Sequence, residues 1–193
     1  MLDTHARKYV EPFIVKSAKK LIALNLTANQ VTVAALIIGL STSVFILLEQ
    51  PVIAVMLLWF SGFLDAVDGS MARLTKTSEF GTVLDVTFDR LVEIAIIVTL
   101  AFVFPGAALS LLLLSGAIIF SMTVFLTVGA VSEKKGKKSF YYQAGLAERT
   151  EGFILFSLMI LLPSLLQPIT LLYAGVVIFT GLQRLVEAKK MLS

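Results

Sequence analysis

The chain has 193 residues, of which 58% are hydrophobic and only 15% charged, and its mean hydropathy is +0.93. Soluble globular domains carry about 25% charged residues, so this composition excludes an ordinary soluble domain and indicates a protein surrounded by lipid. The chain has no cysteine and one histidine, His5, which excludes thiolate and histidine-rich metal sites. Membrane lipids are expected partners, and nucleic acid is not.

The N-terminal segment, residues 1–24, is predicted to form an amphipathic helix that lies on the membrane surface. Its apolar residues recur at helical spacing and are Val10, Phe13, Ile14, Ala18 and Leu21. The basic residues among them are Arg7, Lys8, Lys16, Lys19 and Lys20. A basic amphipathic helix of this kind favours contact with anionic lipid headgroups.

Six apolar stretches follow, each long enough or nearly long enough to cross a hydrocarbon core, which takes about 20 residues. They cover residues 30–49, 52–73, 80–104, 107–131, 149–166 and 168–188. We therefore predict an all-α integral membrane protein in which residues 30–191 form a six-helix bundle. No break in composition divides the chain, so residues 1–193 are predicted to form a single domain.

Basic residues predict the orientation of these helices. They occur in the N-terminal segment, around Arg73 and Lys76, in the loop 134–138 and at Lys189 and Lys190, but not in the three alternating loops. This is the positive-inside pattern with both termini in the cytoplasm, and it requires an even number of spans.

Four aspartates lie at unusual positions in two of the predicted membrane helices. Asp65 and Asp68 are three residues apart in one helix, and Asp85 and Asp89 are four apart in the next, so each pair projects from one helix face. Each charge at membrane depth costs about 2.5–3.5 kcal/mol. A short turn joins the two helices, which can bring the pairs face to face.

Converging carboxylates without histidine or cysteine favour Mg²⁺, Mn²⁺ or Ca²⁺, and four of them can hold two such ions. Ion pairing with Arg73 and Arg90 is a weaker explanation, because two arginines cannot neutralise four aspartates. Gly69 and Gly81 flank the acidic pairs and allow a ligand to approach the backbone. Gly81 is expected in the first turn of its helix, where free N–H groups favour phosphate oxygens.

In order, the motif is Asp65-x-x-Asp68-Gly69-x-x-Ala72-Arg73 followed by Gly81-x-x-x-Asp85-x-x-x-Asp89. It resembles the signature of the CDP-alcohol phosphotransferase family, whose six transmembrane helices and preceding interfacial helix match the pattern of the whole chain. Seven residues separate Arg73 from Gly81, where the family usually has eight.

The resemblance implies transfer of a substituted phosphate from a CDP-linked donor to an alcohol, with release of CMP and two divalent cations, Mg²⁺ or Mn²⁺, as cofactors. Asp65, Asp68, Asp85 and Asp89 would bind metal, and Asp89 would also act as the catalytic base. The cytidine diphosphate would contact a set of residues made up of Asn29, Asp65, Gly69, Ala72, Arg73 and Gly81. Capping of the helix that begins near Val31 is the alternative role of Asn29.

The acceptor is less clearly indicated. Glu148-Arg149 and Gln183-Arg184 resemble positions of prokaryotic phosphatidylinositol phosphate synthases, which suggests that Arg149 and Arg184 bind an anionic acceptor. Pairing of these arginines with Glu151, Glu93 or Glu187 is the structural alternative. Other basic positions of those synthases are missing here, where the chain has Thr127-Val128-Gly129 and Gly152.

Three functions remain open at this point. The first is a phosphatidyltransferase that uses a CDP-diacylglycerol-type lipid and a small polar alcohol such as a phosphorylated polyol. The second is an aminoalcohol phosphotransferase with a soluble CDP-alcohol donor and a lipid acceptor, and the third is a divalent cation transporter. The expected location is the cytoplasmic membrane with the active site on its cytoplasmic side, and family members are often homodimers.

Overall fold

The computed structural model describes residues 2–132 and 149–192, and these residues are helical almost throughout. Seven α-helices follow one another in these two ranges: α1 (Leu2–Ala23), α2 (Ala28–Leu47), α3 (Pro51–Leu74), α4 (Glu79–Val103), α5 (Ala108–Ser132), α6 (Arg149–Leu161) and α7 (Leu166–Leu192). Short 3₁₀ turns, Pro105–Ala107 and Pro163–Leu165, precede α5 and α7. The prediction of an all-α protein is confirmed for this part of the chain.

Within the described residues, four helical segments are long and apolar enough to cross a membrane: Ala28–Leu47, Pro51–Leu74, Pro105–Val131 and Pro163–Leu192. They carry many exposed apolar side chains, among them Ile37, Met56, Leu112 and Leu172. Exposed apolar surface on this scale is characteristic of contact with lipid. These helices and their exposed apolar surface identify the chain as an integral membrane protein.

Two helix boundaries differ from the prediction for a local reason. The stretch 149–166 was expected as one element, but α6 ends at Leu161 because Pro163 restricts the residue before it and lacks an N–H. Pro168 was expected to separate two helices, yet it lies in the first turn of α7, where no intrahelical N–H bond is lost.

The start of α2 is fixed by a capping box. The Thr27 side chain accepts a hydrogen bond from the Gln30 N–H at 3.3 Å, and the Gln30 side chain accepts one from the Thr27 N–H at 2.9 Å. The two bonds satisfy the backbone N–H groups of Thr27 and Gln30, which have no partner within the helix. The alternative role of Asn29 as a helix cap is therefore wrong, since Thr27 is the cap.

The chain divides into two compact units, the first of which is Thr4–Pro105. In this unit α2 lies against both α3 and α4, whereas α3 and α4 have hardly any close backbone contact with each other. An apolar cluster joins α1, α2 and α3 near the beginning of α2, with Ala18, Val31, Val67 and Met71 at its centre. This end of α3 carries the acidic pair.

The second unit contains α5, α6 and α7, and its main contact is between α5 and α7. Gly181 of α7 allows this close approach: a Cβ at this position would lie 2.6 Å from Cε1 of Phe120 and 3.3 Å from the Cα of Ser121. Small residues at such crossings let helix backbones pack closely in membranes. Gly175, also in α7, has no atom within 4 Å of the corresponding position.

These two glycines give a matched test of the α5–α7 crossing. We expect Gly181→Ala to lower the free energy of unfolding by about 1–3 kcal/mol, because the added methyl overpacks the crossing. Gly175→Ala is expected to be neutral or to stabilise by up to about 1 kcal/mol, because alanine favours helix. Unfolding of the two variants in detergent measures the difference, and equal stabilities would show that the crossing tolerates a side chain.

Candidate active site

Three of the four predicted acidic residues converge in the first unit. One carboxylate oxygen from each of Asp65, Asp68 and Asp85 lies within 4.8 Å of the other two, although α3 and α4 contribute them separately. Asp65 and Asp68 are only 9% and 4% exposed, and Asp85 is half-buried. The helical spacing predicted this convergence, and the structure shows it.

The donor set of this cluster fits a divalent cation. It consists of carboxylate oxygens alone, which are the ligands that Mg²⁺ and Mn²⁺ prefer. Buried carboxylates so close together repel one another strongly in a medium of low dielectric constant, and a cation removes that repulsion. The cluster can therefore hold metal and present it to the phosphate oxygens of a ligand.

Asp89 occupies the next turn of α4 after Asp85 and is half-buried. Among the described residues, the group that meets the 4.8 Å distance does not include it. Its neighbour Arg90 forms an ion pair with Glu93 at 2.6 Å. The roles of Asp89 as fourth ligand and as base remain predictions.

The predicted nucleotide residues surround the same end of α3 and α4. Gly69 and Ala72 are half-buried, and Arg73 is exposed in the last turn of α3. Among the described residues outside its own helix backbone, a Cβ at position 69 would meet only Nη1 of Arg73, at 3.5 Å. Of the described side chains, that of Arg73 therefore lines the space beside the Gly69 backbone, and this space is otherwise open.

Asn29 and Gly81 come together although 52 positions separate them in the sequence. A Cβ on Gly81 would lie 3.2 Å from Oδ1 of Asn29 and 2.9 Å from Oγ of Ser78. Ser78 is the N-cap of α4, and its hydroxyl accepts a hydrogen bond from the Gly81 N–H at 3.0 Å. The expectation of a free N–H at Gly81 is therefore wrong in this structure, because the cap occupies it.

Ser78 and Thr27 are the local features that the sequence reasoning missed. Both are small hydroxyl residues directly before an apolar helix, with Gly81 and Gln30 three residues later, which is the spacing of an N-cap and its partner. The turn between α3 and α4 contains only residues 75–78, and Thr75 closes it on the other side by donating to the Met71 carbonyl at 2.8 Å. The short turn thus has a cap at each end.

The predicted acceptor residues belong to the second unit, where each guanidinium lies over an aromatic ring. Arg184 is 8% exposed and its Cζ lies 4.9 Å from the centroid of Phe125, whereas Arg149 lies 5.6 Å from that of Phe153. Such stacking holds a guanidinium in place and leaves its charge intact. Glu187, one of the acids considered as an ion-pair partner of these arginines, accepts a hydrogen bond from the Gln183 side chain at 3.2 Å.

Gly152 has a packing explanation. A Cβ at this position would lie 2.7 Å from the hydroxyl oxygen of Tyr173, and that tyrosine packs edge-on against Phe156 at 5.3 Å. A larger residue such as arginine would have to displace Tyr173. Glu148 and the basic loop 134–138 lie outside the described residues.

Known proteins resemble this chain in sequence and in fold. Archaetidylinositol phosphate synthase of Pyrococcus horikoshii is 32% identical over 202 residues, covering 100% of this chain and 98% of the relative. The phosphatidylinositol phosphate synthase of Mycobacterium tuberculosis, solved with CDP-DAG bound, superposes with a TM-score of 0.71 at 23% identity and covers 91% of this chain and 92% of its own. The same enzyme in complex with manganese and citrate gives a TM-score of 0.70 at 23% identity, with 91% and 88% covered.

The family comparison agrees with these relatives. Residues 25–182 match the CDP-alcohol phosphatidyltransferase family, and this range includes every aspartate of the motif. The donor set of the cluster and this match support divalent cations as the cofactors. The resemblance found in the sequence is thus confirmed: the chain belongs to the CDP-alcohol phosphatidyltransferase family and is an enzyme that transfers substituted phosphate groups.

Proposed function

We propose that this enzyme transfers a phosphatidyl-type group from a CDP-linked lipid, CDP-diacylglycerol or a similar one, to a small polar alcohol and releases CMP. The observation that carries the proposal is the convergence of Asp65, Asp68 and Asp85 within 4.8 Å. With Asp89 as a further ligand, these residues would hold two ions, Mg²⁺ or Mn²⁺. Bound ions would neutralise the phosphate oxygens of the donor.

The chain's own residues supply the remaining steps. Asp89 accepts the proton of the acceptor hydroxyl, whose oxygen forms a bond to the lipid-bearing phosphorus. The bond from that phosphorus to the bridging oxygen breaks, and CMP leaves with the electron pair. Because phosphoryl-type transfer needs little covalent help, positioning of the donor and neutralisation of charge account for most of the catalysis.

The donor's cytidine diphosphate is assigned to the residues at the ends of α2, α3 and α4. Arg73 is exposed, and its guanidinium lies beside Gly69, where it can make a charge-assisted contact with a phosphate. Asn29 and Gly81 lie against each other, so a group bound by one is within reach of the other. Asp65 and Ala72 complete the proposed pocket.

A phosphorylated polyol is the acceptor class that we favour. Two relatives are named for inositol phosphate lipids, and the chain has Arg149 and Arg184 to bind an anion. Both guanidiniums are held over aromatic rings, which prepares them for a fixed ligand geometry. Tyr173 occupies the space beside Gly152, so the two arginines would have to suffice.

We further propose that α2 to α7 form six spans within a single domain over residues 1–193, with both termini in the cytoplasm. The helix α4 has the length to span, at 25 residues, and its charged residues belong to the site and its surroundings. In α1, Lys16, Lys19 and Lys20 are exposed while Ala18 is buried, as expected for a helix lying on anionic headgroups. We also propose that the protein lies in the cytoplasmic membrane and forms a homodimer.

The base assignment is tested with Asp89→Asn. Because the amide cannot accept the hydroxyl proton, we expect kcat for CMP release from CDP-diacylglycerol to fall by about 10²–10⁴ while the thermal stability is unchanged. Glu49→Gln, which removes an exposed acid at the turn between α2 and α3, is the matched control and should leave kcat unaltered. Chelation of divalent ions should stop the wild type, and near-normal activity of Asp89→Asn would contradict the assignment.

The orientation is tested by labelling, which the absence of cysteine makes simple. A single cysteine at Gln50→Cys should react in intact cells with a maleimide that does not cross membranes, because positive-inside charge places this turn outside. Lys76→Cys should react only after permeabilisation. The reverse pattern, or equal labelling of both, would refute cytoplasmic termini.

The acceptor is tested by measuring CMP release with inositol phosphate, glycerol phosphate, serine and free inositol. We expect a phosphorylated polyol to be the best substrate. Arg184→Lys should raise KM for that acceptor about ten-fold, since one charge-assisted hydrogen bond is lost, and leave KM for the CDP-lipid unchanged. Equal changes in both KM values, or a preference for an uncharged acceptor, would argue against Arg184 as an acceptor residue.

A further inference from the structure

The acidic residues on α3 and α4 each share a helix face with one residue deeper in the bundle. Ser61 precedes Asp65 by four residues and Asp68 by seven, and Val92 follows Asp89 by three and Asp85 by seven. These separations put each set on one side of its helix. Ser61 and Val92 are both buried, at 7% exposure each.

Both of these residues meet the same glycine of α2. A Cβ on Gly39 would lie 2.5 Å from Cγ2 of Val92 and 2.8 Å from Oγ of Ser61. The two side chains therefore occupy the space that any larger residue at position 39 would need. Gly39 itself is buried. Because Gly39 has no side chain, α2, α3 and α4 can meet at this point. We call this contact the Gly39 junction (Gly39, Ser61 and Val92).

A hydrogen bond fixes one side of this junction. The Ser61 hydroxyl donates to the carbonyl oxygen of Ala35 at 2.7 Å, and the bond is buried. In a regular helix this carbonyl also accepts the amide of Gly39, four residues on. The bond therefore ties α3 to the turn of α2 that contains the glycine, at a defined height along both helices.

Near its N-terminus, α2 contacts both α3 and α4 again. Asn29 lies against Gly81 of α4, and Val31 packs with Val67 and Met71 of α3. In sequence the aspartates of α3 lie between Ser61 and Met71, and those of α4 lie between Gly81 and Val92. Each acidic pair is thus flanked on both sides by a contact with α2.

We infer that the Gly39 junction positions the metal-binding carboxylates. Since the backbones of α3 and α4 hardly approach each other while both pack closely against α2, the spacing between their carboxylates depends on how closely each packs against α2. The three residues of the junction touch neither the donor nor the acceptor in the proposed function, so they are positioning residues. The inference rests on the proposal that the aspartates bind metal for the transfer reaction.

The test compares Mn²⁺ binding, followed by electron paramagnetic resonance, with thermal stability and CMP release. Gly39→Ala pushes α4 away from α2, and we expect the dissociation constant for Mn²⁺ to rise about ten-fold, as for other residues that orient metal ligands. The double variant Gly39→Ala with Val92→Ala removes the clash with α4, although the contact of the new methyl with Oγ of Ser61 stays, and should recover part of the affinity. Gly116→Ala in α5 is the matched control, because no atom of the described residues outside its own helix lies within 4 Å of the added methyl. This variant should bind Mn²⁺ like the wild type.

Ser61→Ala covers the case in which Gly39→Ala fails to fold. It adds no atoms and removes only the hydrogen bond to Ala35, and we expect a rise of roughly three-fold in the Mn²⁺ dissociation constant. A purely structural junction would lower stability in these variants and leave Mn²⁺ affinity of the folded protein unchanged, which would overturn the inference. A wild type that binds Mn²⁺ but releases no CMP from CDP-diacylglycerol would overturn the proposed function and leave the inference standing.

Discussion

Electrostatic repulsion among buried carboxylates is the constraint on which the first unit depends. Ionised carboxylates whose oxygens lie within 4.8 Å of one another would favour separation of the helices that carry them, and a low dielectric constant would strengthen this tendency. The packing of α2 against α3 and α4 resists it, together with the apolar cluster around Ala18 and Val67. The fold thus keeps an expensive charge arrangement in place until a cation offsets it.

The arginine side chains of the second unit have a different environment from the carboxylates of the first. Arg149 and Arg184 each lie over a phenylalanine ring, which attracts the guanidinium through its π face. Phe125 and Phe153 are thereby part of the environment that an anion would meet at these arginines. The glycine at position 181, one turn from Arg184, lets α5 and α7 approach closely enough for this arrangement.

The features that could be predicted from sequence were those with a local period or a specific motif. Helical spacing predicted the faces of Asp65, Asp68 and Asp85, and hydropathy predicted the helices that carry them. The end of α6 at Leu161 was missed because apolar composition continues past Pro163. The contact of Gly39 with Val92 could not be predicted, since it depends on how three helices pack and nothing near Gly39 in the sequence signals it.

The short connections within residues 4–105 have a consequence for biosynthesis. The turns between α2, α3 and α4 contain only a few residues each, so the contacts that assemble the carboxylate cluster join segments close together in the sequence. Closing short loops costs little conformational entropy, and N-terminal units fold first during synthesis. The acidic cluster can therefore assemble during translation, before α6 and α7, which carry Arg149 and Arg184, have been made, and can bind its cation early.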